Sequence, residues 1–140
     1  MPAIGRQCLL ALALACVSFA ARAQGDVVER QLKAAAGRDV RVAIYTDIRP
    51  DCTAGPLPAI RLAAAPAHGS VTVKRATLKA TNFKQCLATE APAIVAFYRA
   101  AANFEGTDQF ELEVSFPAGR KEIERFRMNV SNSPAGGQGI

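Results

Sequence analysis

The residues able to do chemistry are few. His68 is the only histidine in the chain and stands two places before Ser70, inside Pro66-Ala67-His68-Gly69-Ser70. An imidazole near a hydroxyl is part of a Ser-His-acid relay, but neighbours within one turn rarely reach each other in that geometry and no nucleophile elbow is present. His68 is therefore read as a turn residue whose ring packs over the adjacent strand, and the chain as no enzyme. A single imidazole with scattered carboxylates does not make a zinc site. Glu105 and Asp108 are candidate calcium ligands, yet the acids alternate with Lys and Arg, so Asp108 is read as a loop cap that accepts from nearby backbone N–H groups. No metal and no cofactor is expected.

The densest basic stretch holds Lys74, Arg75, Lys79 and Lys84, with Phe83 among them. Such a patch could dock an acidic polysaccharide, a lipopolysaccharide or a nucleic acid. The reading adopted is a solvated edge strand guarded by cations against edge-to-edge pairing. His68 and these four cations are the candidate binding surface. Charges are otherwise mixed along the chain, and no nucleic-acid partner is expected.

Residues 1–23 have the form of a removable export leader. Arg6 is followed by an apolar run from Cys8 that extends through Phe19, then by Ala21-Arg22-Ala23, a small-x-small cleavage site. The run is shorter than the about 20 apolar residues that span a bilayer, and ordinary cleavage near Ala23 is favoured over lipidation of Cys16. The chain beyond Ala23 has the length of one domain with one core and no transmembrane segment. Of 17 basic and 12 acidic residues, Arg6 and Arg22 leave with the leader, so the mature charge is about +3. Cys8 and Cys16 leave too, and Cys52 and Cys86 remain as the only pair in an exported chain, where a disulfide is expected. Their distant spacing speaks for a staple rather than a redox couple.

These residues must be positioned by strands. Asp26-Val27-Val28-Glu29 has the form of a capping box and Gly37 of a stop, which predicts a short helix over Val27 to Ala36 within an N-terminal arm, residues 24–38. Val40 to Ile48 alternates, with Val40, Val42, Ile44 and Ile48 on one face and Arg41, Tyr45 and Asp47 on the other. Arg49 to Pro58 is a loop tethered by Cys52, and Ala59 to Ala64 is a second strand. A third starts at Val71 and Val73. Thr77 to Glu90 is read as an edge strand followed by a loop, and Ala93 to Arg99 as a central strand. The clearest strand is Phe110, Leu112, Val114 and Phe116 against Gln109, Glu111, Glu113 and Ser115. Phe116-Pro117-Ala118-Gly119 fits a type I turn. The returning strand carries Phe126, Met128 and Val130, and the wrong parity of Ile123 predicts a bulge between Ile123 and Phe126. Residues 132–140 read as a frayed tail.

Two stretches carry a resemblance. Pro66-x-His68-Gly69 followed by Val71, and Tyr98 followed by Asn103-Phe104-x-Gly106-Thr107-Asp108-x-Phe110, resemble bacterial cadherin-like and other immunoglobulin-like repeats over Pro66 to Phe116. Ala100 stands where those repeats usually have Pro. The resemblance implies an all-β, antiparallel immunoglobulin-like sandwich of about seven strands over residues 39–131. With no Trp in the chain, the label describes architecture rather than antibody-type ancestry. The expected function is a non-catalytic module, monomeric and periplasmic or secreted, that binds a protein or polysaccharide partner or serves as a structural accessory in the envelope. The alternatives are an enzyme inhibitor presenting Arg49 to Pro58, or a small periplasmic enzyme using the His68 region.

Overall fold

The computed structural model describes residues 25–132, without the side chains of Ala80, Asn82 and Phe83. Residues 1–24, with the expected leader, Cys8, Cys16 and Ala23, and residues 133–140 of the expected tail lie outside the described residues. Seven strands follow in order: β1 Asp26–Ala35, β2 Asp39–Tyr45, β3 Ala59–Ala64, β4 Gly69–Phe83, β5 Cys86–Ala100, β6 Gly106–Ser115 and β7 Lys121–Ser131. They make two sheets, β1-β7-β6-β3 and β2-β5-β4. No helix occurs among the described residues.

The segment expected to be a helix is β1, and it runs parallel to β7 from Asp26↔Glu122 to Ala35↔Ser131. Val28 and Leu32 satisfy both a helical stripe and strict alternation. A lone helix of this length is marginal, whereas the free edge of β7 gives every second N–H and C=O of β1 a partner. Gly37, expected to stop the helix, instead turns the chain from one sheet to the other at φ +70°, donating its N–H to Ala100 O at 3.0 Å. The expected all-antiparallel arrangement is thus corrected at the β1–β7 pair.

The core is shared by both layers. Phe110, Leu112, Val114, Phe126 and Met128 are sealed from solvent, with Ala96 and Tyr98 of β5 facing them. Rings of Tyr98, Phe110 and Phe126 stack in series, with centroids 5.6 and 4.7 Å apart. The alternation read in β6 holds, and β5 is central as expected. Each fully buried Phe, Leu or Met contributes about 1.5–3 kcal/mol, so this stripe is where the stability is concentrated.

Three further expectations are corrected. β2 ends at Tyr45, with Ile48 making only an isolated bridge to Ala54. The edge strand expected from Thr77 is there as the end of β4, but no loop follows it up to Glu90, because β4 and β5 continue as one hairpin to the pair Phe83↔Cys86. The β6–β7 hairpin closes with the expected turn, Gly119 N donating to Phe116 O at 2.9 Å, and then runs in unbroken register from Ser115↔Lys121 to Gly106↔Val130. The bulge expected between Ile123 and Phe126 is absent. The core-facing position that Ile123 misses is filled by Glu124.

Candidate binding cleft

Glu124 is a carboxylate on a buried stripe. It shares the parity of Phe126, Met128 and Val130 and is 2% exposed. A charge taken out of water is costly unless paired and hydrogen-bonded, and two side chains answer for it. Arg30 of β1 donates from Nη2 to Oε1 at 3.2 Å, and Tyr45 of β2 donates from its hydroxyl to Oε2 at 2.5 Å. Burial first, and then the bond to Glu124 and its charge, push the Tyr45 phenol far above its usual range. Tyr45 is therefore a donor fixed in the protonated form.

Each partner arrives by a local irregularity or an edge. The register of β2 against β5 shifts between Arg41 and Ala43, so Val42 faces the core before the shift and Tyr45 after it, while Ile44 is turned out, 38% exposed. This reverses the faces expected for Ile44 and Tyr45. Arg30 pairs with Phe126 across β1–β7 and so lies on the inner side of an edge strand, its side chain 47% exposed.

Above this triad opens a cleft of about 710 Å³. It is lined by Phe116 and Pro117 from the β6–β7 turn, by Pro56 and Pro58 from the loop after β2, and by the charged side chains of Asp47, Arg49 and Glu122. The Arg120 guanidinium lies 4.1 Å from the Phe116 ring centroid and bonds Glu122 at 2.6 Å. The disulfide between Cys52 and Cys86 is formed, with Cα atoms 5.6 Å apart. It ties the proline-bearing loop to the β4–β5 hairpin, assisted by Thr46 Oγ1 donating to Pro92 O at 2.9 Å and Thr89 Oγ1 donating to Cys52 O at 3.3 Å. Within the loop, Asp51 accepts from the N–H and hydroxyl of Thr53, which holds its carboxyl below the usual range.

A second buried acid meets the two resemblance-bearing stretches. Asp108 accepts from the backbone N–H groups of Ala67 and His68 at 3.0 and 3.1 Å and from the Tyr98 hydroxyl at 2.7 Å. Burial, then this bond, pushes the Tyr98 phenol upward. A Cβ at Gly69 would stand 2.5 Å from Arg99 O and 2.8 Å from the Tyr98 ring, so only glycine lets the turn lie this close. Asp108 is thus a loop cap. His68 stacks on Phe104 at 4.1 Å, with ring planes 7° apart, and so packs on the loop before β6 rather than on a strand.

The basic residues do not gather on one surface. Lys74 stands opposite Val95 and Arg75 opposite Ile94, hence on opposite faces of the sheet. Lys74 Nζ is 5.9 Å from the Phe97 ring centroid, Lys79 Nζ is 3.5 Å from Glu90 Oε1, and Lys84 sits in the hairpin turn at φ 53°. Glu105 does not join Asp108 in a ligand set, since no group of three or more His, Cys, Asp or Glu side chains able to hold a metal occurs among the described residues.

The cleft was missed by sequence reasoning, and a signal for half of it existed. Glu122 and Glu124 continue the parity of Phe126, Met128 and Val130 back to the turn. An unbroken hairpin therefore had to bury one of them. Chemically, the arrangement offers a ligand a fixed polar floor, the free donors of a half-exposed guanidinium, and apolar walls.

No family model matches this chain, and no curated protein matches it. Among solved structures it is similar to the solution structure of amebosin, with TM-score 0.42 and 11% identity over 76% of this chain and 98% of that one. It is also similar to part of a 2,6-sialyltransferase from a Photobacterium species of the Vibrionaceae, solved with CMP and lactose, with TM-score 0.33 and 8% identity over 78% of this chain and 18% of the enzyme. Likenesses this distant carry no argument about fold or function.

Proposed function

We propose that this chain is an exported, non-catalytic binding module of immunoglobulin-like, cadherin-like architecture, and that it holds its ligand in the cleft above Glu124. The architectural part is supported by the strand order, the first strand lying beside the last and the second, fifth and fourth forming the opposite layer, together with the Tyr98, Asp108 and Gly69 contacts that join the two resembling stretches. The export part rests on the leader-like residues 1–23, and the disulfide is in keeping with an oxidising compartment.

One observation carries the binding part. A carboxylate occupies a core-facing strand position where an apolar side chain would be at least as stable, and it sits where the core opens to a cleft of ligand-binding size. Aromatic and proline walls over a polar floor suit a ligand with one apolar face and several hydroxyl or amide groups, such as a sugar unit of an envelope polysaccharide. The module is read as binding rather than reacting because His68 is stacked on Phe104 and the nearest buried acid, Asp108, is engaged by backbone N–H groups.

The test is an NMR titration of the ¹⁵N-labelled mature chain with soluble peptidoglycan fragments and neutral oligosaccharides. Shifts centred on Arg30, Tyr45, Phe116 and Glu124, abolished in Glu124→Leu but not in Lys74→Gln, are the expected result. Shifts confined to other surfaces, or none with any sugar, sink the cleft assignment. An uncleaved chain recovered from the cytosolic fraction sinks the export part.

A further inference from the structure

We infer that the free edge of β4 is a docking rail for an extended acidic segment of another protein, which adds to the β2-β5-β4 sheet as a further strand. This surface is separate from the cleft. Three of the four sheet edges are short, irregular or mixed in charge. β2 is interrupted by its register shift, β3 has six residues and a shift of its own, and β1 carries both signs, Asp26 and Glu29 followed by Arg30 and Lys33. β4 has 15 residues, no register irregularity against β5 and no acid, and Thr72 to Thr77 are all exposed. Such an edge presents a row of unpaired N–H and C=O groups.

Charge selects the occupant. The hairpin from Gly69 to Ala100 holds five basic residues and one acid, Glu90, whereas the rest of the described chain holds ten bases and eleven acids. The whole positive excess of the described chain thus lies on this hairpin. A second copy of β4 laid antiparallel would set cations against cations, which is destabilising. An acidic strand meets the opposite situation.

Geometry separates a strand from a polyanion draped on the surface. Lys74 lies on one face of the sheet and Arg75 and Lys79 on the other, so a chain resting on either face meets only part of the set. A strand added at the edge sends alternate side chains to both faces and reaches all three. The Lys79 pair with Glu90 is exposed on both sides, is worth little, and exchanges readily for an incoming carboxylate. Main-chain bonds then supply affinity and the cations supply selection and register.

The experiment uses the mature chain and a synthetic peptide alternating Glu with Val and Thr, a matched peptide with Lys in place of Glu, and heparin. Binding is followed by NMR and amide hydrogen exchange. The expected result is binding of the acidic peptide alone, with every second β4 amide between Ser70 and Lys79 gaining protection, and affinity about tenfold weaker in the K74Q/R75Q/K79Q variant. These side chains are exposed, and circular dichroism checks that the variant is folded. Equal binding of heparin, binding without protection of alternate β4 amides, pairing of β4 with a second copy in sedimentation, or no binding of the acidic peptide each overturns the inference.

Discussion

Two buried tyrosine–carboxylate pairs sit in this molecule, and their differences are more instructive than their likeness. Tyr98 and Asp108 face each other at one part of the core, Tyr45 and Glu124 at another. Around Asp108 the remaining acceptors are taken by the backbone N–H groups of Ala67 and His68 in the turn and of Gln109 beside it. Around Glu124 the third partner is Arg30, a side chain that already touches water. The same chemistry is therefore a clamp on the main chain in one place and a replaceable floor in the other.

The sharpest way to break this contrast is to replace each pair by apolar residues. Y98F/D108L removes the acceptor of three backbone donors, Ala67, His68 and Gln109, and should lose about 4 kcal/mol of unfolding free energy in urea titration. Y45F/E124L leaves Arg30 free to reach solvent and should stay within about 1 kcal/mol of the parent. Similar losses in the two variants would erase the distinction. Next in size, C52S/C86S should cost roughly 3–4 kcal/mol by the chain-entropy model, and should also broaden NMR signals of the loop bearing Pro56 and Pro58 while leaving the Ala67–His68 turn sharp. Equal disturbance of both regions would show that the staple serves the whole fold and not the cleft wall.

The smallest effect is read at alkaline pH. Both tyrosines of the chain have phenols raised above the ordinary value of 10.0. A raised folded value means that the folded form keeps the proton while the unfolded form releases it. The stabilising contribution is complete below pH 10 and is lost as pH climbs toward the folded values. Stability should fall by about 1.4 kcal/mol per pH unit for each tyrosine beyond pH 10, and phenolate absorbance should appear only together with unfolding. Tyr45→Phe should halve that slope. Phenolate signal from the native protein below pH 11 would mean that one hydroxyl is solvated.

How much of the molecule is legible in its sequence depends on how local each cause is. Phe110, Leu112 and Val114 alternate with polar residues over a regular strand, and both that strand and its turn at Pro117–Gly119 form as read. The β1 segment does not, because Val28 and Leu32 fit two periodicities and its partner β7 is distant in the chain, so tertiary pairing decides the matter. Tyr45 reads as solvent-facing because nothing in Arg41-Val42-Ala43 marks the register shift that turns it inward. Glu124 escapes a reading in which alternation requires an apolar residue and a bulge spares the charge from burial. The disulfide is legible from the cysteine count together with the expectation of export.

The parallel pairing of β1 with β7 sets the direction in which the molecule bears load. Asp26 lies beside Glu122 and Ala35 beside Ser131, so the polypeptide enters at the pole next to the cleft and leaves at the opposite one. Tension applied through the two termini runs along both strands, and the rungs joining them must slide together in shear instead of unzipping one after another. A domain linked in series at both ends would therefore resist stretching through its first and last strands, with the cleft at the upstream junction.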